Sequence, residues 1–383
     1  MRFAIVGCGV IGALHAKIVQ AMPDTEVVAL VDPVAAQRER VASHVGLPET
    51  GEVHVERLAD ALNSREIDAV AVCTPSGRHA EVAIEALAHG KHVLIEKPVD
   101  VSTAAARRIK AAQREAKRTV GVISQHRFDP GNMAIRAAVD DGRFGRVVAA
   151  QATVPWWRSQ QYYDSGAWRG TWALDGGGSL MNQGVHTVDL LTWFLGEPVE
   201  VFAWSATSAH ERIEVEDVAV ATVRFDSGAL ATILATTACN PGTGTEIHVM
   251  GDQGNAIVVN DRLTHFVTTA EHAKDGRLAD VHESEEAKFT ETDSAGGTAA
   301  SSDPTAVRGQ HNRQYLYSNA HARQYRDFVD AVAGERPPKV GLDDGERALA
   351  LVRAVYESHA AGAPVKFADV LASPYEAPGA APA

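Results

Sequence analysis

The stretch Arg2-Phe3-Ala4-Ile5-Val6-Gly7-Cys8-Gly9-Val10-Ile11-Gly12 decides the fold. Phe3 to Val6 is an apolar run of strand length, and the glycines after it have GxGxxG spacing and lead into an amphipathic stretch. Strand, glycine turn and helix in that order form an anion cradle. Gly7 permits the tight turn, Gly9 lets a pyrophosphate approach the backbone, and Gly12 lets the helix pack closely on the strand. The free amides at the helix start, at Val10 and Ile11, face the anion. A glycine turn that binds nothing is the alternative, and the strand–turn–helix context weighs against it. Asp32 ends the next strand, where its carboxylate accepts hydrogen bonds from ribose hydroxyls and would repel a 2′-phosphate. The expected cofactor is therefore NAD rather than NADP, although Arg38 lies near enough to complicate that preference.

Working outward, strands read at Phe3 to Val6, Val27 to Val31, Ala69 to Cys73, Val93 to Ile95 and Val120 to Ile123, with helical stretches between them. This is the α/β rhythm of a Rossmann domain, a doubly wound parallel sheet over residues 1–125. After His126 the rhythm changes to a helix near Met133 to Val139, a strand near Val147 to Val154, and a loop rich in Trp, Tyr and Gly. Hairpin signals follow at Asp226-Ser227-Gly228 and Gly251-Asp252-Gln253-Gly254, each flanked by alternating runs. Residues 126–371 thus read as a C-terminal α+β domain with an open, mostly antiparallel sheet. The polar stretch Glu271 to Pro304 is expected as a surface loop, helices at Arg323 to Ala333 and Asp344 to Ala360, and 372–383 as a disordered tail.

The 383 residues suffice for two domains, each with its own core. A net charge of −13 disfavours nucleic acid and anionic membranes, and no apolar run approaches the roughly 20 residues that span a bilayer. Cys8, Cys73 and Cys239 are an odd number without metal-ligand spacing and read as reduced thiols. With a strand beginning at Arg2, no room remains for an export leader, so a cytoplasmic location is expected. The histidines are scattered, and no metal site is expected.

Cys73-Thr74-Pro75 and Glu96-Lys97-Pro98 end consecutive strands, so both lie at the carboxyl edge of the sheet, where such folds bind ligands. Lys97 stands there as a candidate to face the cofactor, a surface lysine being the other reading. Downstream, Gly176 to Gly178 open a largely apolar helix, Leu180 to Leu195, on which Asn182, His186 and Asp189 share one face. A buried polar stripe needs partners, which a substrate cleft or a structural network can supply.

Taken together these motifs resemble the glucose-fructose oxidoreductase and inositol dehydrogenase (Gfo/Idh/MocA) family. The resemblance rests on Gly7-x-Gly9-x-x-Gly12, Thr74-Pro75 with His79, Glu96-Lys97-Pro98, Arg127-Phe128 with Pro130, and Gly176-Gly177-Gly178-x-Leu180-x-Asn182-x-Gly184-x-His186-x-x-Asp189. It implies a nicotinamide-dependent dehydrogenase or reductase with Lys97 and His186 as catalytic residues. It further implies cofactor contacts from Thr74, Pro75, His79, Glu96, Lys97, Gln125, Trp168 and Arg169, and a homodimer or homotetramer built through the open sheet. The family's usual acid one turn before the histidine is here Asn182, which cannot hold a neighbouring ammonium by charge. His186 as proton acceptor with Lys97 on the same oxygen is one assignment; the reverse is the other.

The expected substrate is a small carbohydrate or polyol. Trp156, Arg158, Tyr163, His126 and Arg127 are the candidate substrate contacts beside Lys97, Asn182 and His186, because aromatic faces pack on sugar C–H surfaces while cationic groups bind hydroxyls or carboxylates. Structural roles for the tryptophans stay open. So do two other functions: tightly bound NAD recycled through a sugar oxidation, reduction or 3-keto elimination, and a non-catalytic NAD sensor.

Overall fold

A computed structural model of the chain describes residues 1–268 and 310–375. The expected surface loop (Glu271 to Pro304) and the tail beyond Tyr375 lie outside the described residues. The first half alternates β1 (Arg2–Val6), α1 (Val10–Ala21), β2 (Glu26–Val31), α2 (Ala35–Val45), β3 (His54–Val55), α3 (Leu58–Ser64), β4 (Ala69–Val72), α4 (His79–Ala88), β5 (His92–Ile95), α5 (Thr103–Ala116) and β6 (Val120–Val122). The six strands form one all-parallel sheet in the order β3-β2-β1-β4-β5-β6. The strands are buried on both faces, so they read as apolar runs rather than as alternation. Phe3, Ile5, Ala69 and Ala71 face one core, while Ala4, Val6, Val70 and Val72 face the other. The order reverses between β1 and β4, which puts the crevice for a ligand at the carboxyl ends of those strands.

The second half contains α6 (Pro130–Asp140), β7 (Val147–Pro155), α7 (Gln160–Asp164), α8 (Val185–Leu195), β8 (Pro198–Ala206), β9 (Val218–Phe225), β10 (Leu230–Thr236), β11 (Glu246–Gly251), β12 (Gly254–Val259) and β13 (Arg262–Thr268). After the undescribed stretch come α9 (Gln310–Ala333), α10 (Leu342–Ala361), β14 (Val365–Lys366) and α11 (Phe367–Ala372). The second sheet runs β13-β12-β11-β7-β10-β9-β8-β14, antiparallel except for the β7–β10 pair. Its inner face, including Ala221, Val223, Ala231 and Ile233, shares a core with Leu191 and Phe194 of α8 and Leu351 and Val355 of α10. Its outer face leaves Trp204, Val220 and Leu230 exposed.

The helix from Arg323 to Ala333 belongs to a longer one, and α9 packs on the first sheet rather than the second. Tyr325, Phe328 and Val329 join Phe3, Ile5 and Leu94 in one core. The glycine-led helix also differs from expectation. Residues Ser179–Gly184 form a π-helical turn before α8 begins. That wider turn changes the angular phase of the helix, so the expected stripe of Asn182, His186 and Asp189 divides between two environments.

Candidate active site

Gly7 has φ +96°, and a Cβ there would lie 2.5 Å from the Cys73 carbonyl oxygen, so the turn requires glycine. At Gly12 a Cβ would fall 1.9 Å from the Gly7 carbonyl oxygen, because α1 starts hard against the turn. A Cβ on Gly9 would meet nothing within 4 Å among the described residues, and Val10 beside it is 83% exposed. The turn is thus tight underneath and open above, toward the α1 amides. Asp32 stands at its edge, where Oδ2 accepts from the Cys8 amide and Oδ1 from the Val34 amide, both at 2.8 Å. Arg38 donates to the Asp32 backbone carbonyl, not to its carboxylate.

Two buried polar atoms along this edge, Thr74 Oγ1 and Gln125 Oε1, have no hydrogen-bond partner among the described residues. Buried groups of this kind are completed by a ligand or by ordered water. With the open glycine turn and the Asp32 carboxylate, they fit a dinucleotide. Pro75 begins a short 3-10 turn, and His79 lies beneath it, with Nδ1 2.8 Å from the Pro98 carbonyl oxygen and Nε2 2.9 Å from that of Thr74. His79 is buried and ties the ends of β4 and β5 together; its place is under the cofactor edge.

Glu96 and Lys97 follow β5. The Lys97 ammonium donates to the Asn182 backbone carbonyl at 2.9 Å, and its own amide donates to Glu96 Oε2 at 3.0 Å. Below them Glu96 Oε1 meets His15 Nε2 at 2.8 Å, His321 lies 3.7 Å away, and His15 Nδ1 reaches the Tyr325 hydroxyl at 2.7 Å. Burial alone would push the Glu96 carboxyl up, but the hydrogen bonds and charges of His15 and His321 hold it well below the usual carboxylate range. Burial lowers the Lys97 ammonium; Glu96 and Asp175 oppose that, and Arg158 and Arg169 add to it. His186 is pushed well below its ordinary value by burial, then by the charges of Lys97 and His126, so it favours the neutral, proton-accepting form.

His126 meets His186 edge-on, with ring centroids 5.0 Å apart, and its Nδ1 lies 2.7 Å from Asp129 and 3.3 Å from Asp261. A cavity of about 20 Å³ lined by His126, Asn132, Trp156, Gln183, His186 and Asp261 adjoins them. Asn132 Oδ1 and Gln183 Oε1 are buried acceptors without partners among the described residues. Gln183 Nε2 donates to the Tyr162 hydroxyl at 3.2 Å, which joins this cavity to a cationic and aromatic cluster. The Arg158 guanidinium lies over the Trp156 and Tyr162 rings at 5.0 Å, and Arg169 over Tyr162 and Trp168 at 4.3 and 4.4 Å. The loop carrying Trp168 and Arg169 reaches the first domain, where Leu174 accepts from the Gly77 amide at 3.0 Å.

Two expected substrate contacts are engaged inside the fold instead. Arg127 donates to both Asp189 oxygens at 2.7 Å and to Asp344 at 2.9 Å, joining the loop after β6 to α8 and α10. Tyr163 is buried with its hydroxyl 2.7 Å from Thr237 Oγ1. Sequence reasoning missed the His15–Glu96–His321 and His126–Asp129–Asp261 groups, whose ligand-type atoms lie within 4.8 Å of one another, because folding alone brings them together. It also missed Asp175. That residue is 2% exposed, accepts from the Gly170 amide at 2.9 Å and the Asn182 side-chain amide at 2.7 Å, and is pushed up to about 6 by burial against the pull of those donors, Arg169 and Lys97. A third omission is Glu216, which accepts from the Gly178 and Leu180 amides at 2.8 Å and so caps the π turn.

Fold and site together define a nicotinamide-dependent oxidoreductase. Residues 1–124 match the oxidoreductase family with NAD-binding Rossmann fold, and 132–257 match the GFO/IDH/MocA C-terminal domain. The chain belongs to the Gfo/Idh/MocA family, is an oxidoreductase acting on CH–OH groups, and takes NAD as cofactor. It is 31% identical to inositol 2-dehydrogenase of Rhizobium meliloti (strain 1021), over 68% of this chain and 76% of that protein. It is 29% identical to scyllo-inositol 2-dehydrogenase (NAD(+)) of Bacillus subtilis (strain 168), over 69% and 75%. The WlbA dehydrogenase from Bordetella pertussis, solved with NADH and UDP-GlcNAcA, superposes with a TM-score of 0.78 at 29% identity, covering 96% of this chain and 97% of that one. Among the described residues no helix is long and apolar enough to cross a membrane.

Proposed function

We propose that the chain interconverts a secondary alcohol and its ketone on a sugar, inositol or sugar derivative. The observation that carries this is the convergence of Lys97 and His186. Lys97 is anchored by the Asn182 carbonyl, and His186 is held neutral beside it. NAD, when bound, supplies hydride acceptance and return at its nicotinamide C4. His186 takes the hydroxyl proton, while the Lys97 ammonium hydrogen-bonds the same oxygen and stabilises its developing negative charge. Glu96, fixed by His15, holds the Lys97 backbone at the sheet edge. Asn132 Oδ1 and Gln183 Oε1 are placed to accept from ring hydroxyls beside Trp156, over whose ring the Arg158 guanidinium lies.

Relatives that act on inositols, and one solved with a nucleotide-linked uronic acid, support this substrate class. The exposed Trp204, Val220 and Leu230 support a homo-oligomer closing over the outer sheet face, and the buried free thiols Cys8 and Cys73 suit a reducing, cytoplasmic setting. The test is to follow reduction of NAD with a panel of inositols, aldoses, uronic acids and glycosides. Turnover of one of them is expected; NAD binding without turnover of any would contradict the proposal.

A further inference from the structure

Lys97 sits in a cationic neighbourhood. Arg158 and Arg169 both oppose its charge, and its hydrogen-bond partner is a neutral carbonyl. Two carboxylates favour the ammonium, Glu96 and Asp175. Glu96 is already taken up, with Oε1 on His15 and Oε2 on the Lys97 amide. Asp175 lies immediately before the Gly176–Gly178 run, and its oxygens accept from the Gly170 amide and from Asn182 Nδ2.

The second of these bonds fixes the Asn182 amide. A carboxylate only accepts, so the Asn182 nitrogen must face Asp175, which leaves Oδ1 as the atom offered to a hydroxyl. The residue then presents its backbone oxygen to Lys97, and its side-chain oxygen is the acceptor left unengaged by Asp175. An asparagine without this partner could equally turn its NH₂ toward Lys97, where it would repel the ammonium.

We infer that Asp175 is a positioning residue of the reaction centre, supplying the carboxylate that keeps the Lys97 ammonium charged and the Asn182 side-chain oxygen turned toward the reacting hydroxyl. The inference rests on the role proposed above for Lys97. It also accounts for how this site works with Asn182 where the family pattern has an acid: the carboxylate stands behind the asparagine.

The test is a pair of variants, Asp175→Asn and Asp175→Asn with Asn182→Asp. In the single variant the introduced side-chain amide must keep its oxygen on the Gly170 N–H, so its NH₂ faces that of Asn182 and forces the latter to turn. In the double variant every hydrogen bond is restored with the carboxylate moved one residue along the chain of contacts. The full chain, saturated with NAD and labelled with ¹³C at lysine Cε, is titrated with pH, the Lys97 resonance being the one lost in Lys97→Met. The Lys97 midpoint is expected to fall by about one pH unit or more in Asp175→Asn and to recover in the double variant. An unchanged midpoint in the single variant, or no recovery in the double, would overturn the inference. If the single variant does not fold, the double still decides, through a midpoint at or far below the wild-type one. No substrate is used, so failure here leaves the proposed reaction standing, and failure of that reaction is read separately from turnover.

Discussion

The Lys97 side chain, from the first sheet, ends 2.9 Å from the backbone carbonyl of Asn182, which belongs to the π turn before α8. This one bond joins the cofactor half of the molecule to the half that carries His186. Its acceptor is a main-chain atom, so the lysine alone determines whether it forms. Lys97→Arg keeps the charge but replaces a compact ammonium with a wider planar fork. We expect it to lower kcat by about 100-fold, the size of one displaced oxyanion-type donor, with NAD affinity little changed; stopped-flow NAD binding beside steady-state turnover checks both.

The glycine turn separates two effects that are usually confounded. Gly12→Ala would drive a methyl into the Gly7 carbonyl and should lower the melting temperature as well as NAD binding. Gly9→Ala meets no atom of the described residues within 4 Å, so it should leave the melting temperature intact and weaken NAD binding alone. Thermal melts with and without NAD distinguish the two.

Arg127 and Asp189 form a buried, doubly hydrogen-bonded pair that Asp344 extends. Arg127→Met leaves the Asp189 carboxylate buried without its partner, which costs about 3 kcal/mol or more. Urea unfolding should show that loss. The same urea experiment on Asp344→Asn, whose partner keeps Asp189, should show a smaller one.

Glu216 carries a sign that can be checked. Its carboxyl is raised from 4.5 to about 7, first by burial, so the folded state keeps a proton that the unfolded chain releases. Stability from this group is therefore full below about pH 4.5 and is lost as pH rises through about 7, a difference of about 3 kcal/mol. Glu216→Gln is less stable overall, because an NH₂ would face the Gly178 or Leu180 amide. The gap between wild type and variant should narrow from pH 5 to pH 8; a gap constant across that range would remove the burial argument.

What was legible in the sequence was what lies close along the chain. The β1 turn, the strand ends at Thr74 and Lys97 and the glycine-led helix each announce themselves within a dozen residues. The short β3 has only His54 and Val55 paired, too few for any period to show. The partition of the Asn182, His186 and Asp189 stripe escaped because helical spacing presumes α geometry, and a π turn precedes α8. Asp175, Asp261 and His321 escaped for a different reason. Asp261 and His321 reach the site from segments far from the motifs, and Asp175, although it directly precedes Gly176, is a lone carboxylate with no signature until the fold supplies its neighbours. Arg127 was visible as a cation, but the two carboxylates that enclose it, Asp189 and Asp344, were not.

The most direct measurement is NADH formation from whichever inositol or sugar of the panel supports turnover, compared from pH 6 to 9 for wild type, Lys97→Met and His186→Ala. Both variants are expected to bind NAD and to lose turnover at every pH. Turnover near the wild-type rate in both would contradict the assignment of the reaction to Lys97 and His186.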